Sequence, residues 1–159
     1  MKPRLKTINK KLFIGKKIIM NFTNNKTSEL WKNFMPERNE IKNKIGNELY
    51  SIEIFPSSYF EKFNPDRKFE KWAAVEVESF NSIPDNMETL IIPAGLYLVF
   101  IHKGAASTGP KTYNYIFNEY LPHSKYNLDN RPHFAVMGEN YKYNDHDAEE
   151  EIYIPVIPK

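Results

Sequence analysis

Two stretches of this chain alternate in the same phase, and that alternation limits what it can fold into. In FEKWAAVEVES (69–79), Ala73, Val75 and Val77 point one way and Trp72, Ala74 and Glu76 the other. In EEEIYIPVI (149–157), Ile152, Ile154 and Val156 continue the aliphatic row, and Glu151, Tyr153 and Pro155 continue the mixed one. Period-2 alternation marks a strand with one buried face. Two such strands in one phase call for helices on the aliphatic side and a different environment on the other.

The segments before them repeat in order. KKLFIGKKIIMNF (10–22) reads as extended. A helix follows, with Thr27 or Ser28 as cap and Leu30, Trp31 and Phe34 at helical spacing. Pro36 either kinks it or starts a second short helix reaching Ile41 and Ile45. ELYSIEIF (48–55) is a strand with Tyr50, Ile52 and Ile54 on one face and Ser51, Glu53 and Phe55 on the other. In the second half, METLIIPAGLYLVFIHK (87–103) is extended and bent at Pro93-Ala94-Gly95. A helix carries Tyr113, Ile116, Phe117, Tyr120 and Leu121 and ends at Pro122, and RPHFAVMG (131–138) is the next strand. The expected fold is α+β: one domain over 1–159, in two pseudo-symmetric strand–helix–strand–strand halves of about 1–82 and 83–159, with an antiparallel sheet and helices on one face.

Charge and composition narrow the function. The first 45 residues hold twelve basic side chains against three acidic ones, +9, leaving −7 for the rest of a chain whose net is +2. These lysines alternate with apolar residues, the pattern of a solvated strand and helix side, and no helix-turn-helix pattern accompanies them, so direct nucleic-acid binding is not expected. With no cysteine, disulfides, thiolate metal sites and cysteine nucleophiles are excluded. No apolar run approaches the ~20 residues of a membrane helix, and MKPRLKTINKK lacks a signal-peptide core, so no membrane partner and a cytoplasmic location are expected.

HKGAASTGPKT (102–112) imitates a nucleotide-binding loop. Gly104 and Gly109 have P-loop spacing, but Pro110 separates Gly109 from Lys111 and removes an amide from the region that must cradle phosphate. The segment reads instead as a loop from which Ser107 or Thr108 starts a helix, with Pro110 in its first turn. His102, His123, His133 and His146 are scattered, DHD at 145–147 reads as a polar hairpin loop, and no G-x-S-x-G elbow occurs. No cofactor and no metal site are expected.

The mixed row is the candidate site. Trp72, Glu76, Glu151 and Tyr153, with Glu53, His133 and Met137 from neighbouring strands, would gather aromatic rings and carboxylates on one face. Ring quadrupoles and carboxylates both attract cations, so such a face suits a flat, lipophilic cation; a solvated sheet face with amphipathic aromatics is the alternative. Glu76 and Glu151 are also placed to form an acid–base carboxylate pair across the halves.

TSELWKNFMPERNEI, FEKWAAVEVESF, IPAGLYLVFIHKG, YIFNEYLPHSKYNLDNRPHF and EEEIYIPV, spread over nearly the whole chain, resemble the GyrI-like small-molecule-binding family, the effector-binding domain of AraC-type and multidrug-responsive regulators. The resemblance implies two halves around a central cleft that takes lipophilic, often cationic compounds, in a form standing alone without a DNA-binding domain. Two other activities follow from it as alternatives: a hydrolase of electrophilic, cyclopropane-type compounds, and a gyrase-modulating interaction protein. Relatives often read RPHFEV where this chain reads RPHFAV, so Ala135 stands where the family carries a cleft glutamate. For that reason the chain is expected to bind ligands rather than to turn them over. Glu53, aligned as the pseudo-equivalent of Ala135, partly compensates. Tyr153 replaces the tryptophan of the family's closing motif.

Overall fold

The chain begins with a long basic ribbon. Strands β1 (Arg4–Ile8) and β2 (Lys11–Met20) follow each other with a two-residue break. The computed structural model describes residues 2–62, 64–105, 108–138 and 148–159. Helix α1 (Thr27–Phe34) comes next; the Asn25 side chain accepts from the Thr27 amide at 3.0 Å, and no side chain of Thr27 or Ser28 caps it. Pro36 sits in a 3-10 segment, Met35–Glu40, that ends the helix and leads to buried Ile41, while Ile45 is exposed. Strands β3 (Leu49–Ile54) and β4 (Phe69–Val77) complete the first half.

The second half repeats the plan. Strands β5 (Glu88–Ile92) and β6 (Gly95–Lys103) flank the bend at Pro93, and α2 (Gly109–Tyr115) has Thr108 before it and Pro110 in its first turn. The helix widens into a π-helical stretch, Ile116–Tyr120, and tightens to 3-10 at Leu121–His123. Short β7 (Tyr126–Leu128), β8 (His133–Met137) and β9 (Glu149–Pro158) follow. The strands at Arg4–Ile8 and Tyr126–Leu128 carry too little alternation to stand out in the sequence. Ser107 and the DHD stretch at 145–147 lie outside the described residues.

All pairings are antiparallel, in the order β1-β6-β9-β8-β3-β4-β2-β5, with β7 on β9. The register between the two bent ribbons is continuous across their breaks: Arg4 faces Val99, Ile8 faces Gly95, Lys11 faces Ile92 and Gly15 faces Glu88. Each half thus lends its first ribbon to the other, which wraps the sheet into a barrel. Gly15 permits the wrap, since a Cβ there would lie 2.7 Å from the Ala74 Cα and collide with the Ala73 carbonyl.

The helices cover the outside, as the aliphatic rows require. Leu30 and Phe34 of α1 pack on Ile14, Ala73, Val75 and Val77. Ile116 and Leu121 pack on Leu98, Phe100, Ile152, Ile154 and Val156. Between the helices, β3 and β8 form a central strip in which Ser51 pairs with Ala135 and Glu53 with His133. Among the described residues no helix is long and apolar enough to cross a membrane.

Four cations of the basic ribbon are ion-paired within the fold. Glu151 binds Arg4, Glu76 binds Lys11, Glu37 binds Lys16, and Glu70 and Glu88 bind Lys17. Most of these acids come from beyond residue 45, so the uneven charge along the sequence becomes local pairing in space.

Candidate functional site

The eight residues expected on one face divide between two. Trp72, Glu76, Glu151 and Tyr153 do share a face, but it is the barrel interior. Glu53, His133, Ala135 and Met137 lie on the opposite, helix-bearing side. Register decides this: Ile52 faces Trp72 on one flank and Phe134 on the other, and Phe134 faces Tyr153. A strand's two rows point to opposite faces, so placing Ile52 inward sends Glu53 outward. The rows of β3 and β8 that look least polar fill the barrel, where Tyr50, Ile52, Trp72, Tyr97, Phe134 and Tyr153 are buried together.

The interior is a packed core rather than a cleft. Phe134 stacks on Tyr153 at 4.4 Å between ring centroids, and Phe13 meets Tyr50 edge-on at 4.8 Å. Its acids close the rims. Glu76 takes Lys11 at 3.3 Å and a hydrogen bond from the Tyr50 hydroxyl at 3.3 Å. Glu151 takes Arg4 at 2.8 Å. Each carboxylate is held by its own cation, so the acid–base pair envisaged for Glu76 and Glu151 does not form. Burial raises the Tyr50 phenol well above its ordinary value and pushes Tyr97 up to about 12, so both hydroxyls stay protonated and donate, Tyr97 to the Pro132 carbonyl at 2.9 Å.

The strip between the helices gathers buried polar side chains, Ser51, Glu53 and His133. Glu53 is buried, and its Oε2 accepts from Lys71 Nζ at 3.0 Å and from Ser51 Oγ at 3.4 Å. Ala135 lies between Ser51 of β3 and Ile152 of β9. With the bend after Ile8 matched to the bend after Ile92, the strand registers make Ser51, not Glu53, the equivalent of Ala135, a correction of two residues. Beyond Ala135 is Glu150, which faces Met137 and His102. Burial raises the Glu150 carboxyl, Glu53 adds to the rise, and His102 and Lys71 oppose it. Among the described residues Glu150 has neither an ion pair nor a side-chain hydrogen bond, which leaves it as the unneutralised acid of the floor.

Aromatic rings roof one end of this strip. Phe60 stacks on Phe117 of the second helix at 4.8 Å and on His133 at 5.5 Å, and Phe55 meets the His133 ring edge-on at 5.0 Å. Tyr113 continues the ladder to Phe117. Burial, with a smaller push from Arg131, lowers the His133 imidazole to about 3, so it is a neutral ring here. A cavity of about 290 Å³ opens beside the ladder, with Phe55, Phe60 and His133 on one wall and Asp129 and Arg131 on another. Arg131 is fixed by Asp129 at 2.6 Å and by the Leu96 and Val156 carbonyls, and it lies over the Tyr97 ring at 4.7 Å.

Sequence reasoning did not single out Glu150, Lys71, Phe60 and Phe117, which the structure brings to the strip beside Glu53 and His133. Glu150 was legible in principle, being two residues before Ile152 and therefore on the same face. Phe60 sits in irregular chain, where no period places it. The nucleotide-like loop has a structural role: His102 Nδ1 lies 2.8 Å from Thr112 Oγ1, its Nε2 lies 3.3 Å from the Ala105 carbonyl, and the contacts pin α2 to β6. Among the described residues no group of three His, Asp or Glu converges on a metal position.

The family model for the GyrI-like small molecule binding domain matches residues 1–157. The chain belongs to the GyrI-like family. The transcriptional regulator BrlR of Pseudomonas aeruginosa is 26% identical over 129 residues, covering 80% of this chain and 45% of that protein, so the GyrI-like domain spans about half the length of this relative. Among solved structures, SAV2435 bound to tetraphenylphosphonium matches with a TM-score of 0.73 at 16% identity, over 99% of this chain and 94% of that one. EcmrR in its complex with DNA matches with a TM-score of 0.72 at 19% identity, over 99% of this chain and 58% of that one. The fold is thus shared with a protein bound to tetraphenylphosphonium and with part of a protein seen in complex with DNA.

Proposed function

We propose that this chain binds planar, lipophilic, cationic small molecules in the groove between its helices, as the effector-binding part of a regulatory or sequestering system. The observation that carries the reading is the aromatic ladder Tyr113–Phe117–Phe60–His133 on a strip whose floor holds a half-buried acid, Glu150, with no ion pair among the described residues. Rings supply a sequence of flat contacts, and the carboxylate supplies charge where water is scarce, which is what a lipophilic cation needs to leave solvent. The tetraphenylphosphonium bound to SAV2435 supports the lipophilic and cationic part of this reading, its four rings standing tetrahedrally about the phosphorus; the flatness rests on the ring ladder alone. The hydrolase alternative gains no residue from the fold, since Ala135 puts only a methyl group at the centre of the strip. Fluorescence titration with a planar cationic dye, together with tetraphenylphosphonium, tests this. Binding should weaken on the order of tenfold in Phe117→Ala and in Glu150→Gln, the loss of one ring or charge contact worth ~1.4 kcal/mol. Equal binding in all three proteins would place the site elsewhere.

A further inference from the structure

The groove floor holds one acid that already has a cation. Glu53 is buried on the outer face of β3, and the Lys71 ammonium reaches it from the neighbouring strand at 3.0 Å, with both side chains almost fully covered. We propose that Lys71 is a resident counter-ion occupying a second, latent cation subsite at Glu53, and that it sets how strongly the groove prefers charged ligands over neutral ones. This rests on the ligand-binding reading above and deepens it.

Three observations carry it. First, Glu53 faces His133 directly across β3 and β8, and His133 is one of the residues lining the cavity beside the aromatic ladder, so Glu53 lies one cross-strand neighbour away from that space. Second, the remaining neighbours of Glu53 do not neutralise it: Ser51 contributes a neutral hydroxyl, and His133 is uncharged at neutral pH. Lys71 is therefore its one cation among the described residues. Third, the pair is coupled to the rest of the floor, because both Glu53 and Lys71 act on the Glu150 carboxyl, in opposite directions. A ligand cation entering the groove meets Glu150 and, behind the ammonium of Lys71, a second carboxylate. A buried ion pair adds little net stability, because desolvation offsets most of its attraction. Exchanging one cation for another at Glu53 is correspondingly cheap, whereas leaving Glu53 without any cation is costly.

The test uses dissociation constants for a planar cationic dye and its neutral isostere, with the wild-type protein, Lys71→Met and the double variant Lys71→Met/Glu53→Gln. Freeing one buried carboxylate for a charge-assisted contact should tighten binding of the cation to Lys71→Met by about tenfold or more and change the neutral isostere by less than about twofold. The double variant should lose that gain. Unchanged or weaker cation binding to Lys71→Met, or a gain that survives in the double variant, overturns the proposal. If the wild-type protein binds the dye and Lys71→Met merely matches it, only this inference falls; if neither dye binds any of the proteins, the ligand-binding reading falls with it. Should Lys71→Met fold poorly, melting curves give the same decision: a cation-induced rise in Tm larger in Lys71→Met than in the wild type, with no such difference for the isostere, supports the subsite, and a rise no larger than that of the wild type refutes it.

Discussion

Replacing His133 by phenylalanine should remove most of the acid sensitivity that this one side chain brings to folding. The imidazole is buried among Phe55, Phe60 and Phe117, and its pKa falls from 6.5 to about 3 on folding. The unfolded chain therefore binds a proton more readily than the folded one between those values, so stability is complete above about pH 6.5 and declines as pH falls toward 3. With those two values the loss amounts to about 2 kcal/mol at pH 5. Glu150, whose carboxyl is raised, changes stability in the opposite direction, and Asp129, held low by Arg131, loses its contribution only at lower pH. Both remain in the variant, so they cancel in the comparison. Urea unfolding at about pH 7.5 and pH 5, with m-values checked for constancy, should show the wild type losing roughly 2 kcal/mol more than His133→Phe over that interval. A parallel decline in the two proteins would refute the reasoning: it would mean that the protonated ring is accepted by Glu53, directly opposite, and that burial does not govern its titration.

Gly15→Ala should destabilise the barrel by several kcal/mol, because the new methyl group meets backbone atoms of Ala73 and Ala74 that cannot rotate away, and thermal unfolding would register it. A change below about 1 kcal/mol would show that the ribbon shifts freely against β4. Ala135→Glu should strengthen binding of a cationic dye by on the order of tenfold and leave its neutral isostere unimproved, since it places a second free carboxylate beside Ser51 on the floor. Matched dissociation constants check this, and equal gains for both dyes would count against it.

The repeat of strand, helix, strand and strand was visible in the sequence because each element has its own period and punctuation. Ala73, Val75 and Val77 against Ile152, Ile154 and Val156 show period 2, and Pro36, Pro93, Pro110 and Pro122 mark the breaks and helix ends. The GyrI-like family was legible for the same reason, as ordered motifs over nearly the full length. The candidate site was only half legible. Trp72 and Tyr153 were correctly placed on the face away from the helices, yet that face is the inside of a barrel. Glu53, His133 and Met137 were assigned to it because a face mixing aromatic rings, methionine and carboxylates was expected, and Ala135 because the family resemblance implies a cleft glutamate at that position.

Along one strand, alternation determines which side chains travel together, and that much belongs to the sequence: the aliphatic rows of β4 and β9 had to lie beneath helices whatever the wider arrangement. Which row of β3 joins which row of β4 is a matter of pairing between distant segments, and a shift of one residue exchanges the faces without altering any local preference. Closure of the barrel is equally non-local, since it depends on Arg4–Gly15 and Glu88–Val99 meeting in one continuous register. Only that closure makes Tyr153 a core residue, turns the basic ribbon into a set of ion pairs, and leaves Glu150, Glu53 and Lys71 together on the open strip between the helices. Burial and charge compensation arise from atoms far apart in the chain, so the tertiary structure alone decides them.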